Sequence, residues 1–284
     1  MAADDGQMKS PVLHDDQHGT AIVAGAALIN ALALAGKEIG SVRVAACGVG
    51  RAGLACLDMM VLLGVAPRNI LAADSTGVLH AGRRDGVGTA KARYVRHTAA
   101  RTLADIVRDA DVFLGCSTGA LLGAEMACSM AGQPLILALS NPEPEIRPEA
   151  AAAVRPDSIV ATCLPDYPNQ VSNLLCLPFI FRGASDCGAT RITDAMRIAC
   201  VHAIADLART GADASVTAVY PGEALAFGRD YIIPRPFDPR LPAVIATCIA
   251  QTAMTSKVAT RPVLDLEVYR DKLAEGLPAV RPLC

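Results

Sequence analysis

Hydrophobic positions along the chain fall into alternating long and short runs. Residues 20–35 are small and apolar at helical spacing and end at Gly36-Lys37, which predicts a helix closed by a glycine C-cap. Residues 42–47, "VRVAAC", form the short, nearly continuous apolar run of a strand buried on both faces, and they lead through Gly48 into a second helical stretch near 50–63. Further strands are predicted at 70–74, 111–115, 135–139 and 158–161, with helices around 103–108 and near Met126. Strands alternating with helices at this rhythm specify a parallel sheet with right-handed crossovers.

Beyond residue 172 the pattern changes. "CLPFIFRG" is compact and apolar, and 194–209 reads as an amphipathic helix with Met196, Ile198, Ala199, Ala203, Ile204 and Leu207 available for burial. Prolines 221, 234, 236 and 239 punctuate the stretch between that helix and two more, predicted at 241–257 and 266–274. The expected class is therefore α/β: a Rossmann-like, doubly wound parallel sheet over 11–172, followed by a mainly helical segment over 173–284. Residues 1–10, "MAADDGQMKS", read as a disordered or non-native leader, without the basic and apolar regions of a signal peptide.

Composition narrows the function. The chain has 284 residues, 52% of them hydrophobic but only 4% aromatic, with no Trp, which suits close helix-on-sheet packing. A net charge of −2 and the lack of a basic stripe give nucleic-acid binding no electrostatic basis. Apolar runs are too short to span a membrane, so a soluble, cytoplasmic protein is expected. Ten cysteines without a C-x-x-C pair, several of them in apolar runs, read as reduced core thiols.

The chemistry begins at "CGVGRAGLACLDMM". Gly48-x-Gly50-x-x-Gly53 follows a predicted strand and opens a helix, so Gly48, Val49, Gly50, Arg51 and Gly53 form a candidate pyrophosphate cradle at a helix N-terminus. An acidic residue ending the next strand would take the adenosine ribose. Asp74 stands there, farther from Gly48 than the usual spacing of about 20 residues. A ribose-binding Asp74 favours NAD, while Arg83 and Arg84 nearby could meet the 2′-phosphate of NADP. Near the start, "PVLHDDQHGTAI" sets Asp15 and Asp16 between two histidines; the pair reads either as a metal site or as a solvated helix N-terminus. Asn173 in "PNQVSN" reads on its own as a turn residue.

The order of motifs resembles the bacterial malic enzymes from residue 11 onward. The matching stretches are "HDDQHGTAI", "GVGRAG", "DSTGVLHAGR", "SNPEPEI", "DYPNQVSN" followed by "PFIFRGASD", and "YIIPRPFDPRL". The resemblance implies oxidation and decarboxylation of malate to pyruvate with NAD or NADP and a divalent metal, Mg²⁺ or Mn²⁺. By it, Asp16 corresponds to a metal ligand with Asp15 in support, Asn141 lies beside nicotinamide and substrate, Asn173 contacts substrate, and Thr20 sits near the cofactor or the helix start. Hard carboxylate oxygens suit such an ion.

Departures accompany the matches: Ser172 replaces the first Asn of the usual pair, and "GVGTAKA" replaces M-N-P-x-K-x. The family's lysine base, tyrosine acid and Glu-Asp ligand pair precede the "HDD" motif, so no catalytic residue is expected in this chain. The resemblance thus implies a dinucleotide-binding fragment inactive alone, forming a homo-oligomer or associating with a missing N-terminal half, with an unusually large exposed apolar patch on the helical tail unless the apolar face of 194–209 is fully covered. The alternatives are one chain of a split malic enzyme, or a non-catalytic dinucleotide-binding or regulatory module.

Overall fold

A computed structural model describes residues 18–83, 85–223 and 225–275. The expected leader at 1–10 lies outside them. Helix α1 (Thr20–Ala35) precedes strand β1 (Val44–Cys47), helix α2 (Arg51–Leu62) and strand β2 (Ile70–Asp74), which is followed by the two-residue strand β3 (Gly77–Val78). Short helices α3 (Thr89–Ala92) and α4 (Leu103–Val107) lead to β4 (Val112–Gly115), then α5 (Ala124–Cys128), β5 (Leu135–Ala138), α6 (Pro148–Val154) and β6 (Ile159–Thr162). Helices α7 (Leu177–Asp186), α8 (Asp194–Arg209), α9 (Ala214–Val219), α10 (Leu241–Thr255) and α11 (Leu266–Glu275) complete the described chain.

The sheet has six strands in the order β3-β2-β1-β4-β5-β6, parallel except for the β2–β3 pair. Strand order reverses between β1 and β4. Alternate side chains explain how both faces are covered. Val44, Ala46, Val112, Leu114, Leu135 and Leu137 join a core with α1, α2 and α8, while Ala45, Cys47, Phe113, Ile136 and Ala138 join a second with α4, α5 and α6. The first core continues past residue 172 through Leu175, Ile180, Ile204 and Ile249, so the helical segment shares its interior with the sheet.

Helix α8 places much of its apolar face inside the chain. Met196, Cys200, Val201, Ile204 and Leu207 are buried, and Ile198, Ala199 and Ala203 are partly covered, because α8 packs against both α1 and α10. The buried part of this face is thus covered by the chain itself, and the rest of it is partly open. The tail expected to expose apolar surface does carry exposed large apolar side chains, among them Leu174 and Phe181 around the start and exposed side of α7, Phe237, Leu264 and Val268.

The proline-punctuated strap around 228–240 runs without regular structure, so its backbone needs side-chain partners. Two buried asparagines supply them. Asn169 Oδ1 accepts from the Ile232 N–H at 2.9 Å, and Asn30 Nδ2 donates to the Ile232 carbonyl at 2.8 Å. Asn30 also donates to the Ala205 carbonyl at 2.8 Å and accepts from Arg209 Nε at 2.8 Å, which joins α1, α8 and the strap. Replacing Asn30 with Leu adds apolar volume but leaves two buried carbonyls and a guanidinium short of partners. Thermal or urea unfolding of that variant is expected to show a loss of about 3 kcal/mol; unchanged stability would mean that the asparagine does not pin the strap.

Candidate functional site

Strand order reverses between β1 and β4, and it is over the carboxyl ends of strands at such a switch point that an open α/β sheet forms a crevice for a ligand. Gly48 leaves β1 with φ of +89°, and its N–H bonds to the Ala73 carbonyl at 2.9 Å. A Cβ there would overlap the Cys116 carbonyl, and one on Gly53 would overlap the carbonyl of Gly48 itself. These two glycines let α2 and the loop after β4 close tightly on the turn. Gly50 differs. It caps α2 in an extended conformation, and a Cβ on it would meet nothing within 4 Å. Its surroundings are thus the open approach that a pyrophosphate needs at the α2 N-terminus, with buried Val49 anchoring the turn and Arg51 exposed on the first turn.

Asp74 ends β2 beside this turn, but its carboxylate is already engaged. Oδ1 accepts from the Thr76 N–H at 3.0 Å and from its hydroxyl at 2.8 Å; Lys91 Nζ reaches Oδ2 at 2.6 Å and Arg83 Nη2 lies 2.8 Å from Oδ1. Burial acts to raise the Asp74 pKa, yet the bonds from Lys91, Thr76 and Arg83 outweigh it and hold the carboxyl well below the usual carboxylate range. Arg83 is only 8% exposed and is braced by the Gly77 and Asp85 carbonyls, whereas Lys91 is 27% exposed. One carboxylate thus faces two cations. His80 senses the same field: burial and the charges of Arg101 and Arg83 lower its pKa. Arg84 lies outside the described residues.

Two thiols, Cys116 and Cys163, directly follow β4 and β6 at the carboxyl edge of the sheet. Burial pushes the Cys163 thiol up to about 12, with Cys116 and Glu145 adding to the effect. A hydrogen bond with Cys56, then burial, raises Cys116. Both are neutral at physiological pH, and the described cysteines are free.

Asn141 follows β5 by way of Ser140, so it stands at the carboxyl edge of the sheet with the glycine turn. Asn173 begins a single 3-10 turn capped by Ser172, whose hydroxyl accepts from the Leu174 N–H at 3.3 Å. Ser172 thus closes the start of this turn. Asn173 is brought to the head of α1, since a Cβ on Gly19 would meet its Cβ at 2.7 Å; Thr20 is the next residue and opens the helix. Asp15 and Asp16 lie outside the described residues. Among the described residues no group of three His, Cys, Asp or Glu is assembled to hold a metal.

Sequence reasoning missed Lys91 and Glu145. Lys91 lies inside "GVGTAKA", which reads as a departure, and only the fold brings it to Asp74. Glu145 was in view within "SNPEPEI", but nothing in spacing alone marks it as buried.

Comparison with known proteins agrees with this fold. The family described as "Malic enzyme, NAD binding domain" matches residues 17–224. The chain is 52% identical over 270 residues to an NADP-dependent malic enzyme of Haemophilus influenzae, covering 95% of this chain and 36% of that protein. It is 49% identical over 267 residues to an NAD-dependent malic enzyme of Rhizobium meliloti, covering 94% and 35%. The chain thus spans about a third of the length of these relatives. The crystal structure of Entamoeba histolytica malic enzyme superposes with a TM-score of 0.82 at 33% identity, over 94% of this chain and 54% of that one. A malic enzyme from Pyrococcus horikoshii gives 0.79 at 31% identity, over 95% and 61%. With a Rossmann-like sheet, a glycine turn at its switch point and a family match over most of its length, the chain belongs to the malic enzyme NAD-binding domain family.

Proposed function

We propose that this chain is the dinucleotide-binding part of an NADP-linked malic enzyme that oxidises and decarboxylates malate to pyruvate. The observation that carries the reading is the glycine turn between β1 and α2 at the sheet's switch point, with open space at Gly50 and two cations on Asp74 at the adjoining strand end. Gly48, Gly50 and Gly53 would admit the pyrophosphate to the backbone amides of the turn, and Arg51 would add charge at its edge.

A free carboxylate at the end of β2 would accept the ribose hydroxyls of NAD and repel a 2′-phosphate. Here Lys91 and Arg83 turn that position net positive, which favours NADP. Bound nicotinamide supplies the hydride acceptor. Asn141 and Asn173 are assigned to the substrate end, Thr20 to the adjacent helix start, and Asp16 with Asp15 to an Mg²⁺ or Mn²⁺ ion; no lysine or tyrosine of this chain is assigned as base or acid. A cytoplasmic, homo-oligomeric protein fits that reading. No helix among the described residues is long and apolar enough to cross a membrane.

Calorimetric titration of the chain tests the proposal. NADP is expected to bind at least about tenfold more tightly than NAD, a difference of about 1.4 kcal/mol. Equal affinities would overturn the NADP preference, and no binding of either would overturn the dinucleotide reading itself.

A further inference from the structure

Glu145 is the feature that the assigned roles leave unexplained. It is fully buried, 0% exposed, although carboxylates are almost never placed so without a partner cation. Among the described residues it forms no ion pair; its neighbours are neutral donors from two loops. Oε1 accepts from the Ser117 N–H at 3.0 Å and from the Ser140 hydroxyl at 2.5 Å, while Oε2 accepts from the Ser140 N–H at 3.2 Å. Its own carbonyl accepts from the Leu122 N–H at 3.0 Å. Gly115, the last residue of β4, makes room for it: a Cβ there would collide with the carboxylate.

The two loops so joined follow β4 and β5. The adenosine end of a dinucleotide belongs at β2, on the far side of the switch point, so its nicotinamide half must extend over β4 and β5. We propose that Glu145 is a positioning residue for the nicotinamide half of the cofactor: its buried carboxylate fixes the Ser117 loop and the Ser140-Asn141 loop against each other as one wall of the crevice. A carboxylate suits this task because it is acceptor-only and can satisfy three donors at once, which a glutamine in one orientation cannot. The inference rests on the proposed dinucleotide reading.

The test separates the halves of the ligand. Glu145→Gln and, as a milder change, Ser140→Ala are titrated with NADP and with adenosine 2′,5′-bisphosphate, which carries only the adenosine end. Glu145→Gln is expected to weaken NADP at least about tenfold and Ser140→Ala about threefold, with the bisphosphate held within about twofold in both. A parallel fall for both ligands would make Glu145 a general structural residue, and unchanged NADP affinity would remove any role; either result overturns the inference. Should Glu145→Gln fail to fold, Ser140→Ala decides on the same criterion. Failure of the unsubstituted chain to bind NADP would instead overturn the dinucleotide reading, and this inference with it.

Discussion

Lys91→Glu is expected to weaken NADP binding by about 100-fold while leaving NAD within about threefold, thereby reversing the cofactor preference. The substitution removes a charge-assisted contact, worth about 1.5–3 kcal/mol, and adds a like charge where the 2′-phosphate would sit. It also leaves Asp74 with Arg83 as its one cation among the described partners, so the strand end changes from net positive to net negative. Lys91→Ala should fall between, at about tenfold. Both variants also remove a stabilising partner of the mostly buried Asp74, so a fall in melting temperature accompanies the change in affinity, larger for Lys91→Glu, which adds a like charge there. Calorimetry or cofactor fluorescence measures the affinities; a parallel loss of NAD and NADP would sink the assignment of Lys91 to the phosphate.

The pH dependence of this preference has its origin in the same groups. Asp74 has its folded pKa depressed, so its contribution to stability is complete above about pH 4 and disappears only on further acidification. It remains ionised wherever the cofactor is studied. A phosphate monoester takes its second charge near pH 6. The NADP preference should therefore grow as pH rises from about 5 to 7 and shrink with added salt, which screens a partly exposed lysine.

Much of this fold is legible in the sequence because the parallel strands and long helices are set by burial. Residues 20–35, 70–74 and 194–209 match the observed bounds of α1, β2 and α8, where apolar periodicity and local stop signals agree. Elements held by tertiary contacts escape: β3 is two residues long and leans on β2 as an antiparallel edge, and the four-residue α3 has no buried stripe. Helix α7 begins at Leu177-Pro178 inside a segment whose compact apolar run fits helix or strand equally. The site divides in the same way. A glycine turn has a local cause, so Gly48, Gly50 and Gly53 can be read from spacing; the Lys91–Asp74 pair and the Glu145 clamp join residues that only the sheet order brings together. Helix α8 shows the converse, because an apolar face says that something covers it but not which element does.

The glycine turn offers a matched pair of substitutions in which fold and ligand effects separate. Gly50→Ala places a methyl group in open space, and the residue's φ of −77° and ψ of −167° suit alanine, so the melting temperature should move by no more than about 1 °C. The methyl nevertheless stands on the pyrophosphate approach, and affinity for NADP should fall at least about tenfold. Gly53→Ala acts from the other side. Its Cβ would overlap the Gly48 carbonyl, so α2 must shift away from β1. Overpacking of this kind costs about 2 kcal/mol, equivalent to about 5 °C in melting temperature, and the displaced helix N-terminus should lose dinucleotide binding as well. Differential scanning calorimetry and NADP titration on the two variants separate the effects. Only the combination of an intact Gly50→Ala fold with impaired binding identifies the turn as a ligand contact; full affinity in that variant would move the pyrophosphate elsewhere in the crevice, whatever Gly53→Ala does to stability.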